Sequence, residues 1–350
     1  MKKRILFALA SPIIRPNGIV VFMKEASSVL KQMGHTVDFI TDAEPKFNIG
    51  KWFDNVYYPK NEIVYPLDTT IDGKPIINFL PQIQNRIRDV YQNEIHDCEY
   101  DVIISNDAQS TAAFLDLQNK VRLIHYVHTG GLIDENATFL TDHYVEMERL
   151  LLDHCEVGAQ HQRVLDTLGV KGHVLHMPLG NLEWYLPHED QSGLMFLGEG
   201  TKRKGALRFE KIVNKLDIPA RILSTSFLDT DFGSIVDKTI GQFGIHEEQK
   251  KATFIRKGKA GFHPAICECW PYAVMEMLVS KPVVLDATYR WARPFEDVGA
   301  LVVQPEEIEE TIKMVMDPVY KYDNSKAVDY FKQAPATWRR HVAGPVIPPL

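Results

Sequence analysis

At 350 residues, 45% hydrophobic and 24% charged, the chain can bury two cores and is composed like an ordinary globular protein. Its net charge of −7 excludes a global pull toward nucleic acid, and no apolar run approaches the length of a membrane span. The four cysteines, Cys98, Cys155, Cys267 and Cys269, are scattered rather than framed, which excludes a disulfide scaffold and suits a reducing cytoplasm.

The opening Met1-Lys2-Lys3-Arg4 and the apolar residues after it are patterned like a short signal peptide. That apolar core is too short, so residues 5–10 predict a first β-strand. Pro12, Pro16 and Gly18 punctuate the next loop. Ile19, Phe22, Met23, Ala26, Val29, Leu30 and Met33 form a helical stripe, and Gly34 stops it before a second strand over 36–41. Strand, glycine loop, helix and strand make a Rossmann-type opening. No G-x-G-x-x-G is present, so the dinucleotide fingerprint is missing. Gly18, at the helix start, would let a phosphate approach the backbone closely; a plain loop glycine is the alternative.

Residues 45–80 show no period and predict an irregular excursion with one short strand. A helix follows over 82–95, then a buried strand over 101–105 that ends in Asn106 and Asp107. Polar residues at the carboxyl end of such a strand face the ligand crevice of an open α/β sheet. The strand over 123–128 ends in His128, beside Thr129-Gly130-Gly131. His125, three residues earlier, falls on the other face. The first half closes with a strand over 156–159, a helix over 160–168 stopped by Gly169, and a strand over 173–177.

A connection over 178–190 leads to a strand over 194–198 and then to Gly198-Glu199-Gly200-Thr201-Lys202-Arg203-Lys204-Gly205. Basic residues at a helix start oppose its dipole, which hints at an anionic ligand. A strand over 221–224 precedes Asp229-Thr230-Asp231, a D-x-D read as a solvated turn rather than a metal site. Asn136-Ala137-Thr138 is a glycosylation sequon without a secretory context. His263, Cys267 and Cys269 lack a fourth ligand at zinc spacing and read as reduced, partly buried groups.

Residues 260–285 carry the densest chemistry. A buried strand end precedes Glu268, Pro271 suits a helix start, residues 272–278 read as helix, and Lys281-Pro282 opens another strand. Glu268 and Glu276, with seven residues between them, fall in the turn and on the helix. Backbone N–H groups of Trp270 and Tyr272, on either side of Pro271, favour an anion there, and two nearby carboxylates suit hydroxyl-rich groups. The loop over 286–296 holds Arg290, Trp291 and Arg293, facing the crevice. A last strand over 301–303, an acid-capped helix over 305–316 and a helical tail over 327–342 complete the chain, with Trp338 as an anchor for the tail.

The stretch from Glu268 through Glu276 to Lys281-Pro282-Val283-Val284 resembles the E-x7-E signature of retaining glycosyltransferases with two Rossmann-like domains, the GT-B architecture. Pro178 to Tyr185 resembles the linker of that family. Gly198 to Gly205 resembles its G-R-x-x-x-x-K-G diphosphate clamp: Lys204 and Gly205 match, while Glu199 stands at the arginine position. The order and compact size resemble the T-even phage DNA α-glucosyltransferases. The resemblance implies an α/β fold with an acceptor-side domain over 1–180, a nucleotide-sugar domain over 181–325 and a tail over 326–350 returning to the first domain.

It also implies a nucleoside-diphosphate sugar donor, a UDP-sugar, with no metal cofactor. Lys204, with Arg203, would neutralise the leaving diphosphate; Glu268 would hold sugar hydroxyls and Glu276 the ribose. Gly18 and the backbone of Trp270, Pro271 and Tyr272 would line the donor, and His128 would lie near the reacting carbon. The implied acceptor is 5-hydroxymethylcytosine in double-stranded phage DNA, met by Asn106, Asp107, Arg290 and Arg293, in the cytoplasm of a host cell. Residues 1–180 hold 17 Lys and Arg against 23 Asp and Glu, which argues against DNA, while the remainder holds 22 against 23 with local basic clusters. A bacterial transferase acting on a glycan, a lipid-linked sugar or a small molecule is the second reading. A silent nucleotide-sugar binder, suggested by Glu199, is the third.

Overall fold

The computed structural model describes residues 2–10, 18–60, 70–71, 74–75, 80–95, 99–128, 130–133, 142–187, 191–224, 235–240 and 247–344. The chain divides into two compact units: Met1–Thr129, Thr141–Pro178 and Ala334–Leu350 form the first, Gly130–Leu140 and Leu179–Gln333 the second.

In the first unit the chain runs β1 (Arg4–Leu9), α1 (Gly18–Gln32), β2 (Thr36–Thr41), β3 (Val56–Tyr57), the short pair β4 (Thr70–Ile71) and β5 (Lys74–Pro75), then α2 (Leu80–Glu94) and β6 (Val102–Ser105). It continues through α3 (Ala108–Phe114), β7 (Arg122–Tyr126), α4 (Asp142–Leu151), β8 (Glu156–Ala159), α5 (Gln162–Leu168) and β9 (His173–Val174). Seven strands pair in parallel in the order β3-β2-β1-β6-β7-β8-β9. A parallel sheet is covered on both faces, so its strands read as nearly continuous apolar runs. Ile5, Leu6, Phe7, Ile103, Ile104 and Ile124 accordingly lose all contact with solvent. Strand order reverses between β1 and β6, where an open α/β sheet presents its crevice.

The second unit repeats this plan with β10 (Leu194–Gly198), α6 (Ala206–Leu216), β11 (Ala220–Ser224), β12 (Ile235–Ile240), α7 (Glu248–Arg256), β13 (Ala260–Phe262), α8 (Tyr272–Leu278), β14 (Val283–Asp286), β15 (Leu301–Val303) and α9 (Ile308–Met316). Its parallel order is β12-β11-β10-β13-β14-β15, so the reversal falls between β10 and β13. Phe196, Phe209, Phe262 and Ile312 fill its core. A final helix, α10 (Ser325–Trp338), belongs to the second unit up to Gln333 and to the first from Ala334. In the first unit Trp338 is buried, stacks on Tyr126 with centroids 6.4 Å apart, and donates Nε1–H to the His176 carbonyl at 2.8 Å.

Several expectations shift. The strand predicted over 123–128 ends at Tyr126, leaving His128 two residues beyond it, and the one predicted over 173–177 shrinks to β9. Helices α3, α4 and α7 were not predicted. Pro12, Pro16, Cys98, the sequon at Asn136, the linker residues 188–190 and Asp229-Thr230-Asp231 lie outside the described residues. No helix of the described residues is long and apolar enough to cross a membrane.

Candidate functional site

Two loops flank the reversal point of the second sheet. One leaves β10 and carries Lys202, Arg203 and Lys204; the other leaves β13 and carries His263 to Trp270. They are stitched together: Ile266 N–H donates to the Arg203 carbonyl at 3.0 Å, and an Arg203 guanidinium N–H reaches the Cys267 carbonyl at 3.4 Å. Gly205 makes the approach possible. Its φ is +74°, and a Cβ there would lie 2.2 Å from the Pro264 carbonyl oxygen. No other residue fits, since both the backbone region and the space demand glycine.

Across this seam the Lys204 ammonium donates to Glu268 Oε1, and His263 Nε2 lies 3.2 Å from the same oxygen. Burial by itself would raise the Glu268 carboxyl, but the charge of Lys204 and the His263 hydrogen bond outweigh it and hold it at about 2. Burial pushes His263 below its ordinary value, against the pull of Glu268 and with the push of Lys204 and Arg203. The imidazole is therefore neutral, and facing a carboxylate it carries its proton on Nε2. Glu199, at the place of the clamp arginine, sits 3.8 Å from the Arg203 guanidinium.

Glu276 lies one helix along, on α8, and is 2% exposed. Its Oε1 accepts from the Lys251 ammonium of α7 and from the Tyr185 hydroxyl at 3.3 Å. Its Oε2 is buried without a hydrogen-bond partner among the described residues. Burial pushes the Glu276 carboxyl up, against the opposing charge of Lys251. A buried carboxylate oxygen with nothing to accept costs about 1–3 kcal/mol, more when charged, and a ligand hydroxyl would repay it.

The other expected residues fall in varied surroundings. Trp270 turns inward, stacked on Phe295 at 4.2 Å and on Tyr330 at 5.7 Å, so only its backbone is available at the start of α8. Pro271 caps that helix with extended φ and ψ rather than lying inside it, and Tyr272 is buried. Trp291 was expected in the crevice but is 1% exposed and packs edge-on against His263 at 5.7 Å, which makes it core. Arg290 and Arg293, on either side of it, are exposed. Cys267 and Cys269 are buried. No group of three His, Cys, Asp or Glu among the described residues is placed to hold a metal ion.

In the first unit Asn106 and Asp107 follow β6, at that sheet's reversal point. Asp107 caps α3: Oδ1 accepts from Ser110 N–H at 2.7 Å and Oδ2 from Ala10 N–H at 2.6 Å. Burial nevertheless pushes its carboxyl up to about 6. The Asn106 amide donates to the carbonyls of Ala8 and Ile104, so its Oδ1 faces His128 Nε2 at 3.1 Å. His128, packed on Phe22 and Tyr126, is driven by burial down to about 3 and stays neutral. Gly18 opens α1, and a Cβ there would meet nothing within 4 Å. The protein's own packing thus does not require glycine at that position.

Tyr185, Lys251 and His263 escaped assignment to the site from sequence. Lys251 had a readable signal: it shares a helix face with the buried Phe254 and Ile255, whereas its neighbour Lys250 is exposed. The spacing of His263 suggests only a zinc ligand, and the connection holding Tyr185 gives no period to read.

No protein-family model and no curated protein sequence matches the chain. Among solved structures, the chain is similar to a sucrose-phosphate synthase (tll1590) from Thermosynechococcus elongatus, with 13% identity, a TM-score of 0.69 and coverage of 96% of this chain and 94% of that one. It is similar to Anabaena Alr3699/HepE in complex with UDP-glucose, with 12% identity, a TM-score of 0.63 and coverage of 97% and 95%. It is also similar to an alpha-glucosyltransferase in complex with UDP and a 13-mer DNA containing an HMU base, with 10% identity, a TM-score of 0.52 and coverage of 97% and 96%. The chain therefore has the α/β GT-B fold of these glycosyltransferase structures over nearly its whole length.

Proposed function

We propose that this chain is a retaining glycosyltransferase that moves a sugar from a UDP-sugar to a hydroxyl acceptor. The observation that carries the reading is the Lys204–Glu268 ion pair at the reversal point of the second sheet, with Glu276 on the helix that follows and its Oε2 buried and lacking a partner among the described residues. As the diphosphate leaves, negative charge grows on it and positive charge on the sugar carbon. Fixed cations, Lys204 with Arg203, stabilise the first, and the ionised Glu268 grips the sugar hydroxyls. Glu276 takes the ribose hydroxyls on Oε2.

The first acceptor to test is 5-hydroxymethylcytosine in DNA, which the sequence resemblance implies and the DNA-bound glucosyltransferase fold supports. The excess of acids in residues 1–180 favours the second reading, a glycan, lipid-linked or small-molecule hydroxyl. Incubation of hydroxymethylated DNA with a panel of UDP-sugars, followed by mass spectrometry, should show addition of one hexose or pentose mass per modified base. Unchanged DNA together with hydrolysis of one UDP-sugar moves the acceptor to the second reading. A chain that neither binds nor consumes any nucleotide sugar ends the proposal.

A further inference from the structure

The residue that keeps Glu268 in place must do so even when Lys204 is shared with a phosphate. We propose that His263 is a positioning residue: its Nε2–H pins Glu268 Oε1, leaving Oε2 to meet a sugar hydroxyl. The inference rests on reading Glu268 as the carboxylate that grips the donor sugar. His263 is built for constancy. Its backbone N–H donates to Val284 O at 3.3 Å, extending the β13–β14 pairing, and its ring is 1% exposed and wedged edge-on against Trp291. The charged groups around it are Lys204 and Arg203 from the loop after β10 and Glu268 from its own loop. Two cations beside a buried imidazole oppose a third charge, so the ring is a neutral donor over the working pH range.

The ring carries an unrepaid cost. With the proton on Nε2, Nδ1 is a bare acceptor, buried and without a partner among the described residues. A phenylalanine or leucine at this position would avoid that desolvation penalty, so packing alone does not account for histidine. The hydrogen bond to Glu268 does. Lys204 holds Oε1 by a flexible stem and a charge that a diphosphate would also draw on; His263 holds it by a locked ring. Glu268 therefore keeps one orientation throughout a turnover.

The test compares wild type with His263→Gln, whose amide reaches the Nε2 position, and with His263→Leu and His263→Asn, which cannot reach it. Carbon-13 NMR of glutamate-labelled protein follows the Glu268 carboxyl down to about pH 3. It should show no inflection in wild type and His263→Gln, and an inflection moved up by about one pH unit or more in His263→Leu and His263→Asn. Turnover of a UDP-sugar should fall about 10²-fold in kcat for Leu and Asn, as misplacement of a reacting group costs, with KM nearly unchanged, and Gln should recover most of it. Identical Glu268 titration and kcat in all four proteins would overturn the proposal, as would Gln behaving like Asn. If wild type consumes no nucleotide sugar the functional reading fails, while the titration still decides whether His263 pins Glu268. If His263→Leu does not fold, the contrast between Gln and Asn decides the matter.

Discussion

Lys204 and Glu268, 64 positions apart in sequence, meet as an ion pair whose side chains are only 16% and 10% exposed. An ammonium so placed is desolvated enough to act strongly on a neighbouring anion, and its three donors allow it to hold a carboxylate and a phosphate at once.

Lys204→Ala removes that charge. Loss of one such fixed donor costs about 10²–10³ in kcat where negative charge develops in the transition state. The expected result is a fall of that size in UDP-sugar turnover, with nucleotide affinity changing far less. Steady-state kinetics beside calorimetric titration of UDP separates the two. A variant with unchanged kcat places the leaving-group charge elsewhere.

Glu276→Ala should do the reverse. It removes the oxygen assigned to the ribose and leaves the Lys251 ammonium without its carboxylate, so UDP affinity should fall about tenfold or more. Tyr185→Phe removes the hydroxyl that bonds at 3.3 Å to the other oxygen, Oε1. It should cost about 0.5–1.5 kcal/mol of stability and little UDP affinity. Titrating UDP into both variants checks the order.

How much of this could be read beforehand follows the physics of each signal. The parallel sheets were legible because strands buried on both faces write unbroken apolar runs, as in Ile5 to Leu9 and Val283 to Leu285. Glu268 and Glu276 were legible because a short turn and one helix fix their spacing. Helix α7 was not, because its sequence is mostly polar and only Ala252, Phe254 and Ile255 are buried. Trp291 reads as a crevice residue from its position in the loop, yet an aromatic ring of that size gains more by packing in the core. The Lys204–Glu268 pairing itself is non-local and leaves no trace in the pattern of either segment.

Gly205 and Gly18 should respond oppositely to alanine. At Gly205 the backbone φ of +74° and the 2.2 Å approach to Pro264 both forbid a Cβ. Gly205→Ala should lose about 2 kcal/mol or more, lowering Tm by several degrees. At Gly18 a Cβ meets open space, so Gly18→Ala should leave Tm unchanged within about a degree while weakening UDP-sugar binding. Thermal melts with and without UDP-sugar read both effects, and equal Tm losses in the two variants would contradict the assignment.

Acid should destabilise the fold well above the carboxylate range. His128 has a folded value of about 3 against an ordinary 6.5, so the unfolded chain binds its proton first. Its contribution is complete above pH 6.5 and is lost as pH falls toward 3. His263, also depressed by burial, acts in the same direction. Glu268, held at about 2 against 4.5, adds a second loss as pH falls from 4.5 toward 2. Asp107 opposes them: raised to about 6 against 3.8, it takes up its proton more readily in the folded state and favours folding as pH falls through that window. Urea melts from pH 7.5 to 4 should therefore show stability declining below about pH 6.5. In His128→Gln the decline should be shallower between pH 6.5 and 4, because one of the protons that drives it is gone, whereas Asp107→Asn should steepen it. Parallel curves for wild type and His128→Gln would mean that His128 titrates normally and is not the half-buried neutral group bonded to Asn106.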